Sequence, residues 1–455
     1  MSNWLEDSPR TGRSTYEQLT AACDSLFAAV IFGVPLMLGG NHPLARLAYT
    51  LLVGLLAVLW MLRRALYAEE SPRLNRTALC LFGAAIGLVT VQLVPLPGLG
   101  LIAPNRAELM PLWNDAATPA SLGAWERISV HPAATRGGLV MLITHALLFF
   151  VVLDRTRTRA DVLRLLRWCG LSAMLLAALA LAQLACGNGK FLWVYAHPYR
   201  DTFGAARGPF PNENHLAHFL ALGLGPLLAW LCAALHTKQS RGEPHPRSAV
   251  WLPAGGLILV LIAGLFTFSR GGVLMLLLAG TTTAVLLAVR GLLNRRALAA
   301  LGLAGVAAAA AIFLYGYEPL AAQLATFGAG SLEALDTGDR LALWQADLRA
   351  LAAYGPLGAG VGSHAEVYPT FYEHVSRVEF THAESGYVQV LLETGWPGML
   401  LLISGMGLIA WWAVRAYRRA SKPHDSMIAA ALDAPEAEGA AQGAGERAAG
   451  QAGCI

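Results

Sequence analysis

Charge is what this chain has least of. Only 14% of its 455 residues are Asp, Glu, Lys or Arg, while 56% are hydrophobic, and the mean hydropathy is +0.50. Soluble domains carry about a quarter charged residues. The scarcity excludes a soluble globule and leaves an all-α polytopic membrane protein. The formal net charge of +4 names no partner. Nucleic acid is not expected as one, and where the positive residues fall matters more than their sum.

Three further absences narrow the reading. The six cysteines, Cys23, Cys80, Cys169, Cys186, Cys232 and Cys454, include no CxxC pair, and five lie in or beside apolar runs. They read as small packing residues, not as a disulfide framework or a zinc site. Residues 1–19 are polar and carry no cleavage signature after a short apolar core. The first apolar run is therefore expected to be a retained span. No DxD motif or His/Glu cluster has the spacing of a metal site. Glu333, Asp336 and Asp339 come nearest. They read as a solvated loop, with Asp339 capping a helix that begins at Arg340. No metal and no cofactor is expected.

What the chain has is long apolar runs. About ten spans are expected, over 20–40, 46–62, 77–95, 137–153, 168–186, 215–235, 249–268, 272–290, 297–315 and 386–414. With the N-terminus inside, every short inside loop is basic. Examples are Arg63 with Arg64, Arg155 with Arg157, and Arg415 with Arg418. The outside loops are longer and poorer in Lys and Arg, which fixes the expected orientation. The expected organisation is a cytoplasmic segment 1–19, a membrane bundle of about nine spans over 20–315, a periplasmic loop or cap over 316–385, a last span over 386–414 and a cytoplasmic low-complexity tail over 415–455. Location in a bacterial inner (plasma) membrane, with both termini cytoplasmic, goes with that plan.

The longest polar run, Gly338 to Gly398, interrupts this apolar background. It opens on an amphipathic helix with Arg340, Trp344 and Arg349, passes a glycine-rich turn from Gly355 to Gly362, and closes on His382. At about 100° per residue, His382, Ser385, Gln389 and Glu393 share one stripe of a helix. A polar stripe at the mouth of a membrane helix is costly unless it faces water, protein or substrate. Two outside turns add to it. Residues 207–215 read RGPFPNENH, with Arg207 and Asn214, and residues 266–272 read FTFSRGG, with Arg270.

Arginine suits phosphate because its planar fork donates two parallel hydrogen bonds and stays charged. Gly271 and Gly272 would let a headgroup approach the backbone, at a helix start with open N–H groups. Histidine is the side chain most easily poised to take a proton from a hydroxyl near neutral pH. Plainer readings carry equal weight. A single arginine at a helix end commonly anchors to lipid headgroups. His145, His215 and His218 read as packing or interfacial groups. Tyr368, Phe371 and Tyr372 either stack on a sugar or pack the loop.

Taken in order, FTFSRGG at 266–272, Arg340-x-x-x-Trp344, GPLGAGVGSH at 355–364 and HAESGYVQVLLETGWPG at 382–398 resemble the O-antigen ligase and polymerase superfamily. These are membrane glycosyltransferases that use polyprenyl-pyrophosphate-linked glycans. The resemblance covers roughly residues 200–412, and the remainder resembles the family by topology alone. The chain departs from it in having Ala383 after the histidine, where many members have Asn. It also departs after Trp396-Pro397-Gly398, where many members continue into one or two further spans.

The resemblance implies transfer of a glycan from an undecaprenyl-pyrophosphate donor to a hydroxyl acceptor. The acceptor is another glycan, lipid A–core or a protein side chain. It assigns the donor pyrophosphate to Arg207 and Arg270, with Arg340 as a further candidate, and acceptor activation to His382. Glu384, Gln389, Glu393, Asn214 and Trp344 are candidate supports. An arginine-stabilised pyrophosphate leaving group and a single displacement imply an inverting, metal-independent reaction. The alternatives are a transporter or exporter of a polysaccharide-related substrate, or a non-catalytic scaffold. Transporters place ionisable groups near the bilayer midplane. The expected spans seven to nine have none inside, and Asp24 in span one is the main exception.

Overall fold

The computed structural model describes residues 8–67, 74–96, 127–241, 248–289, 335–373 and 379–420, with the single positions 291, 293, 299 and 303. Within them the chain is helical, and the isolated bridge Phe191–Tyr195 is the one β contact among the described residues. The helices are α1 (Ser8–Ala28), α2 (Pro43–Leu66), α3 (Arg76–Leu93), α4 (Pro132–Arg155), α5 (Arg159–Cys186), α6 (Glu213–Arg241), α7 (Ser248–Leu265), α8 (Arg270–Val289), α9 (Leu335–Tyr354), α10 (His364–Phe371) and α11 (Gly386–Ala420). Eight helices among the described residues are long and apolar enough to cross a membrane, and Ala249–Leu265 is a shorter apolar one. The protein is therefore an all-α polytopic membrane protein. The expected span 297–315 and the tail from 421 onward lie outside the described residues.

Helix starts follow their capping residues. The Asn75 side chain accepts from Ala78 N at 2.9 Å to start α3. Thr158 and Asp161 form a reciprocal capping box on α5. α9 begins at Leu335, so Asp339 lies inside it and is not its cap. The helix thus starts about a turn earlier than the sequence implied.

The chain divides into two compact units, Met1–Arg157 with Ala322–Trp411, and Thr158–Ala321 with Trp412–Ile455. In the first, α2 packs on α1 and α4, α3 on α4, and α9 on α10. One end of α2 carries Arg46 and the other Arg63 and Arg64. Around the latter end, Arg155 holds Asp24 through two hydrogen bonds of 2.9 and 2.8 Å. The fully buried Asp154 accepts from Trp60 Nε1 at 2.7 Å and pairs with Arg157. Asp24, the exception among the span residues, is thus a structural partner of Arg155. Removing the charged partner of the fully buried Asp154 costs about 3–5 kcal/mol.

In the second unit α6 is central, packed by α5, α7 and α8. Leu216, Leu220, Leu227 and Leu231 on it are wholly buried. Small residues bring the backbones close: a Cβ at Gly223 would collide with Ala173 on α5. Membrane helices associate through such close packing because lipid offers no hydrophobic drive.

Candidate functional site

In the first unit the site grows from a break in α11. Gly395 adopts φ 64° and ψ −162°, so α11 is two helical pieces meeting just before Trp396-Pro397-Gly398. A break orphans the carbonyls of the turn before it. The glycine-rich turn takes them up. Ala359 N donates to Leu392 O and Gly360 N to Glu393 O, each at 2.9 Å, and Trp396 N donates back to Pro356 O at 3.0 Å. Only glycine fits this seam. Gly358 has φ 76°, and a Cβ there would lie 2.6 Å from Gly395 N.

The far side of the turn is held by α3 and the start of α4. Gln92, fully buried at the end of α3, donates to Glu393 O at 2.8 Å and Leu357 O at 3.3 Å, and accepts from Val361 N at 3.2 Å. Val130 N donates to Ala359 O at 2.8 Å, and Thr135 Oγ1 to Val361 O at 2.7 Å. The turn feeds into α10, which begins at His364.

On this frame the expected polar stripe is assembled. The nearly buried Glu393 carboxylate accepts from the backbone N–H groups of Gly362 and His364. Gln389 Nε2 donates to Glu393 Oε1 at 2.9 Å and lies 3.4 Å from His382 Nδ1. His382 stands in the loop before α11, which starts at Gly386, instead of opening the helix. Ser385 contributes its carbonyl to Gln389 N at 3.0 Å.

The His382 loop is braced from α9. Trp344 Nε1 donates to Ala383 O at 2.8 Å, and Arg340 pairs with Glu384 at 3.7 Å. Glu384 sits at φ 52°, a left-handed conformation that non-glycine residues rarely adopt. These contacts aim its neighbour His382. Arg340 and Trp344 therefore act on the His382 loop as well as being available to a ligand. The aromatic residues of this region pack among themselves: Tyr368 lies 6.0 Å from both Tyr372 and Phe380, and its hydroxyl accepts from Phe380 N at 2.9 Å.

His382 is held below the ordinary histidine range. Desolvation is the main cause, although the residue as a whole is exposed. The positive charges of His364 and Arg46 add to this, and Glu384 opposes it. Arg46 stands exposed near the start of α2, with Nη2 2.6 Å from Asn41 Oδ1. The sequence showed it only as one charge in an outside loop.

In the second unit the two arginine turns adjoin. Ala206 N donates to Phe266 O at 2.8 Å, which ties the Arg207 segment to the FTFSRGG turn. Arg207 is mostly buried; its Nε lies 3.1 Å from Glu213 Oε2 and Nη1 donates to Asp201 O at 2.6 Å. A phosphate ligand would have to compete with Glu213 for it. Asn214 lies in the first turn of α6, where its N–H donates to Asn212 Oδ1 at 2.8 Å.

Arg270 is the first residue of α8. The two glycines after it differ. A Cβ at Gly271 would meet nothing within 4 Å, whereas one at Gly272 would strike Ala217 on α6. Gly272 N also donates to Ser269 Oγ at 2.9 Å. Gly271 is the position open to a ligand, and Gly272 serves helix packing. Among the described residues no group of three or more His, Cys, Asp or Glu is placed to hold a metal.

The two units define a polytopic membrane protein whose polar residues gather on a broken helix, a glycine seam and two arginine-bearing turns. Residues 255–403 match the family model described as O-antigen ligase. This segment is similar to the O-antigen ligase domain, and the match supports the superfamily resemblance carried by the motifs. It includes Arg270, Arg340, Trp344 and the whole run from the glycine seam to Glu393, and leaves out Arg46, Gln92 and Arg207. No curated protein and no solved structure matches the chain.

Proposed function

We propose that the protein transfers a glycan from an undecaprenyl-pyrophosphate carrier to a hydroxyl acceptor, as a surface-polysaccharide or O-antigen polymerase or ligase. The observation that carries this reading is the His382–Gln389–Glu393 array inside the segment similar to the O-antigen ligase domain. The acceptor oxygen attacks the anomeric carbon as the bond to pyrophosphate breaks, and configuration inverts. The hydroxyl proton passes to the His382 imidazole, whose Nδ1 lies 3.4 Å from Gln389 Nε2. Arg270 and Arg207 stabilise charge on the departing pyrophosphate, with Arg340 as a further contact. Arginine supplies the positive charge here, so no metal is required. The protein sits in a bacterial inner membrane with its termini cytoplasmic and its reaction on the periplasmic side. The acceptor is a growing glycan, lipid A–core or a protein hydroxyl.

The test is purified protein in lipid, with donor binding and transfer measured separately, in EDTA. Arg270→Lys keeps the charge but loses one prong of the fork, and Arg270→Ala loses both. Transfer should fall about a hundredfold in Arg270→Ala and less in Arg270→Lys. His382→Ala should bind donor normally and lose about 10²–10⁴-fold in transfer. Normal transfer by His382→Ala rejects the assignment. Loss in EDTA restored by Mg²⁺ or Mn²⁺ rejects metal independence.

A further inference from the structure

Behind Glu393 lies a pair of ionisable groups that the reaction above leaves unused. Asp347 on α9 and His364 at the start of α10 are 0% and 1% exposed, with His364 Nε2 3.2 Å from Asp347 Oδ1. Ionisable side chains are almost never so completely buried without a reason. Ala350 of α9, Ala359 of the glycine turn, Val367 of α10 and Leu392 of α11 form a buried apolar cluster in the same unit. Apolar residues of similar volume would pack there at no loss of stability.

His364 contacts Asp347 on α9, Tyr368 on α10 and, through its backbone, Glu393 on α11. Its ring stacks on Tyr368 at 5.1 Å and 14°, and the Tyr368 hydroxyl receives Phe380 N just before the His382 loop. Its backbone N–H donates to the Glu393 carboxylate. Glu393 in turn receives the Gln389 amide that faces His382. A polar chain thus runs Asp347, His364, Glu393, Gln389, His382.

We propose that Asp347 and His364 are positioning residues, a buried pair that orients Glu393 and Gln389 against His382 and sets the pH at which His382 can accept a proton. The proposal rests on the glycosyl-transfer reading above. Gln389 Nε2 is a donor, so it suits His382 only while Nδ1 is unprotonated. A proton on Nδ1 would oppose the amide N–H. Turning the amide to offer its oxygen would remove the donor from Glu393. The protonation of His382 is therefore coupled to Glu393 and whatever fixes Glu393.

The charged and titratable groups around His382 are Arg46 from α2, His364 from α10, Gln389's partner Glu393 from α11 and Glu384 from its own loop, with Arg340 of α9 behind Glu384. Positive charge on His364 disfavours protonation of His382. A proton on the His364 ring would face the Asp347 carboxylate at 3.2 Å.

The experiment is the pH profile of kcat/KM for transfer, with donor binding and thermal unfolding measured alongside. In His364→Gln the acid limb should move to higher pH, with a roughly threefold to tenfold loss on the acid side and unchanged donor binding. Asp347→Asn should move it in the same direction, and the double variant no further than His364→Gln alone. The apolar double variant Asp347→Leu/His364→Phe keeps the packing without the charges and should fold and show the same displaced limb. An unmoved limb in folded variants overturns the proposal. So does failure of all of them to fold, since the pair would then be structural only. His382→Ala is assayed beside them. If it is inactive while the limb stays put, only this proposal fails. If it transfers normally, the functional reading fails first.

Discussion

A histidine accepts a proton only while neutral, so His382 depends on what surrounds its ring. Desolvation, His364 and Arg46 hold it below the ordinary range, against the pull of Glu384. The sign has two consequences. The neutral, competent form persists below pH 6.5, the usual midpoint. Because the unfolded chain binds the proton more readily, this group weakens the fold as pH falls below 6.5 toward its folded value. Arg46→Gln removes one positive neighbour. The acid limb of the pH–rate profile should then shift upward, and Glu384→Gln should shift it downward. A limb insensitive to Arg46→Gln would show that Arg46 does not act on His382. His382, Gln389 and Glu393 were legible in the sequence because a helical period placed them on one stripe. Asp347, Arg46 and Gln92 were not, since their roles come from contacts that join segments remote in sequence. Asp347 reads as one charge on a short amphipathic helix, and Gln92 as one polar residue in an apolar run.

At the scale of elements, the seam between the glycine turn and broken α11 decides where the polar stripe points. The motif from Gly355 to Gly362 and the kink before Pro397 were both visible in the sequence. That one satisfies the other was not, because orphaned backbone groups have no residue code. Gln92 tests the seam from outside both motifs. Gln92→Leu takes one of two partners from Glu393 O, which keeps Gly360 N, and leaves Leu357 O and Val361 N short of one, and an unsatisfied buried group costs about 1–3 kcal/mol. The variant should unfold at clearly lower temperature in detergent and transfer poorly. Thr90→Val, two residues away, loses only the 2.7 Å bond to Ile86 O of its own helix and should change stability by less than about 0.5 kcal/mol. Equal unfolding of the two variants would mean that the seam does not need α3. The FTFSRGG turn shows the opposite limit of legibility. Its two glycines look alike in sequence, yet Gly271 is open and Gly272 is wedged against α6.

For the whole molecule, hydrophobic runs gave the all-α membrane class directly, because a spanning chain must satisfy its backbone within helices. The distribution of Lys and Arg gave an orientation. Within the first unit, Arg63, Arg64, Arg155 and Arg157 share the end of α2 opposite Arg46. Single cysteines beside Arg340 should therefore be labelled by impermeant reagents from outside, and cysteines beside Arg157 from inside only. The background must lack native cysteines, since Cys80 and Cys186 are exposed. Labelling beside Arg340 from the cytoplasm would reverse the orientation and remove the periplasmic reaction with it.

The Gln92 contacts also set a clock for biogenesis. The amide that closes on Glu393 O waits for a residue 301 positions later in the chain. At about 5–20 residues per second, translation needs roughly 15–60 s to deliver it. Throughout that interval α3 sits in the bilayer with the Gln92 amide without its Glu393 partner. A membrane chaperone or insertase that shelters apolar segments one at a time would have to hold α3 until α11 emerges. The ribosome completes the seam, and with it the site, only once α11 has been made.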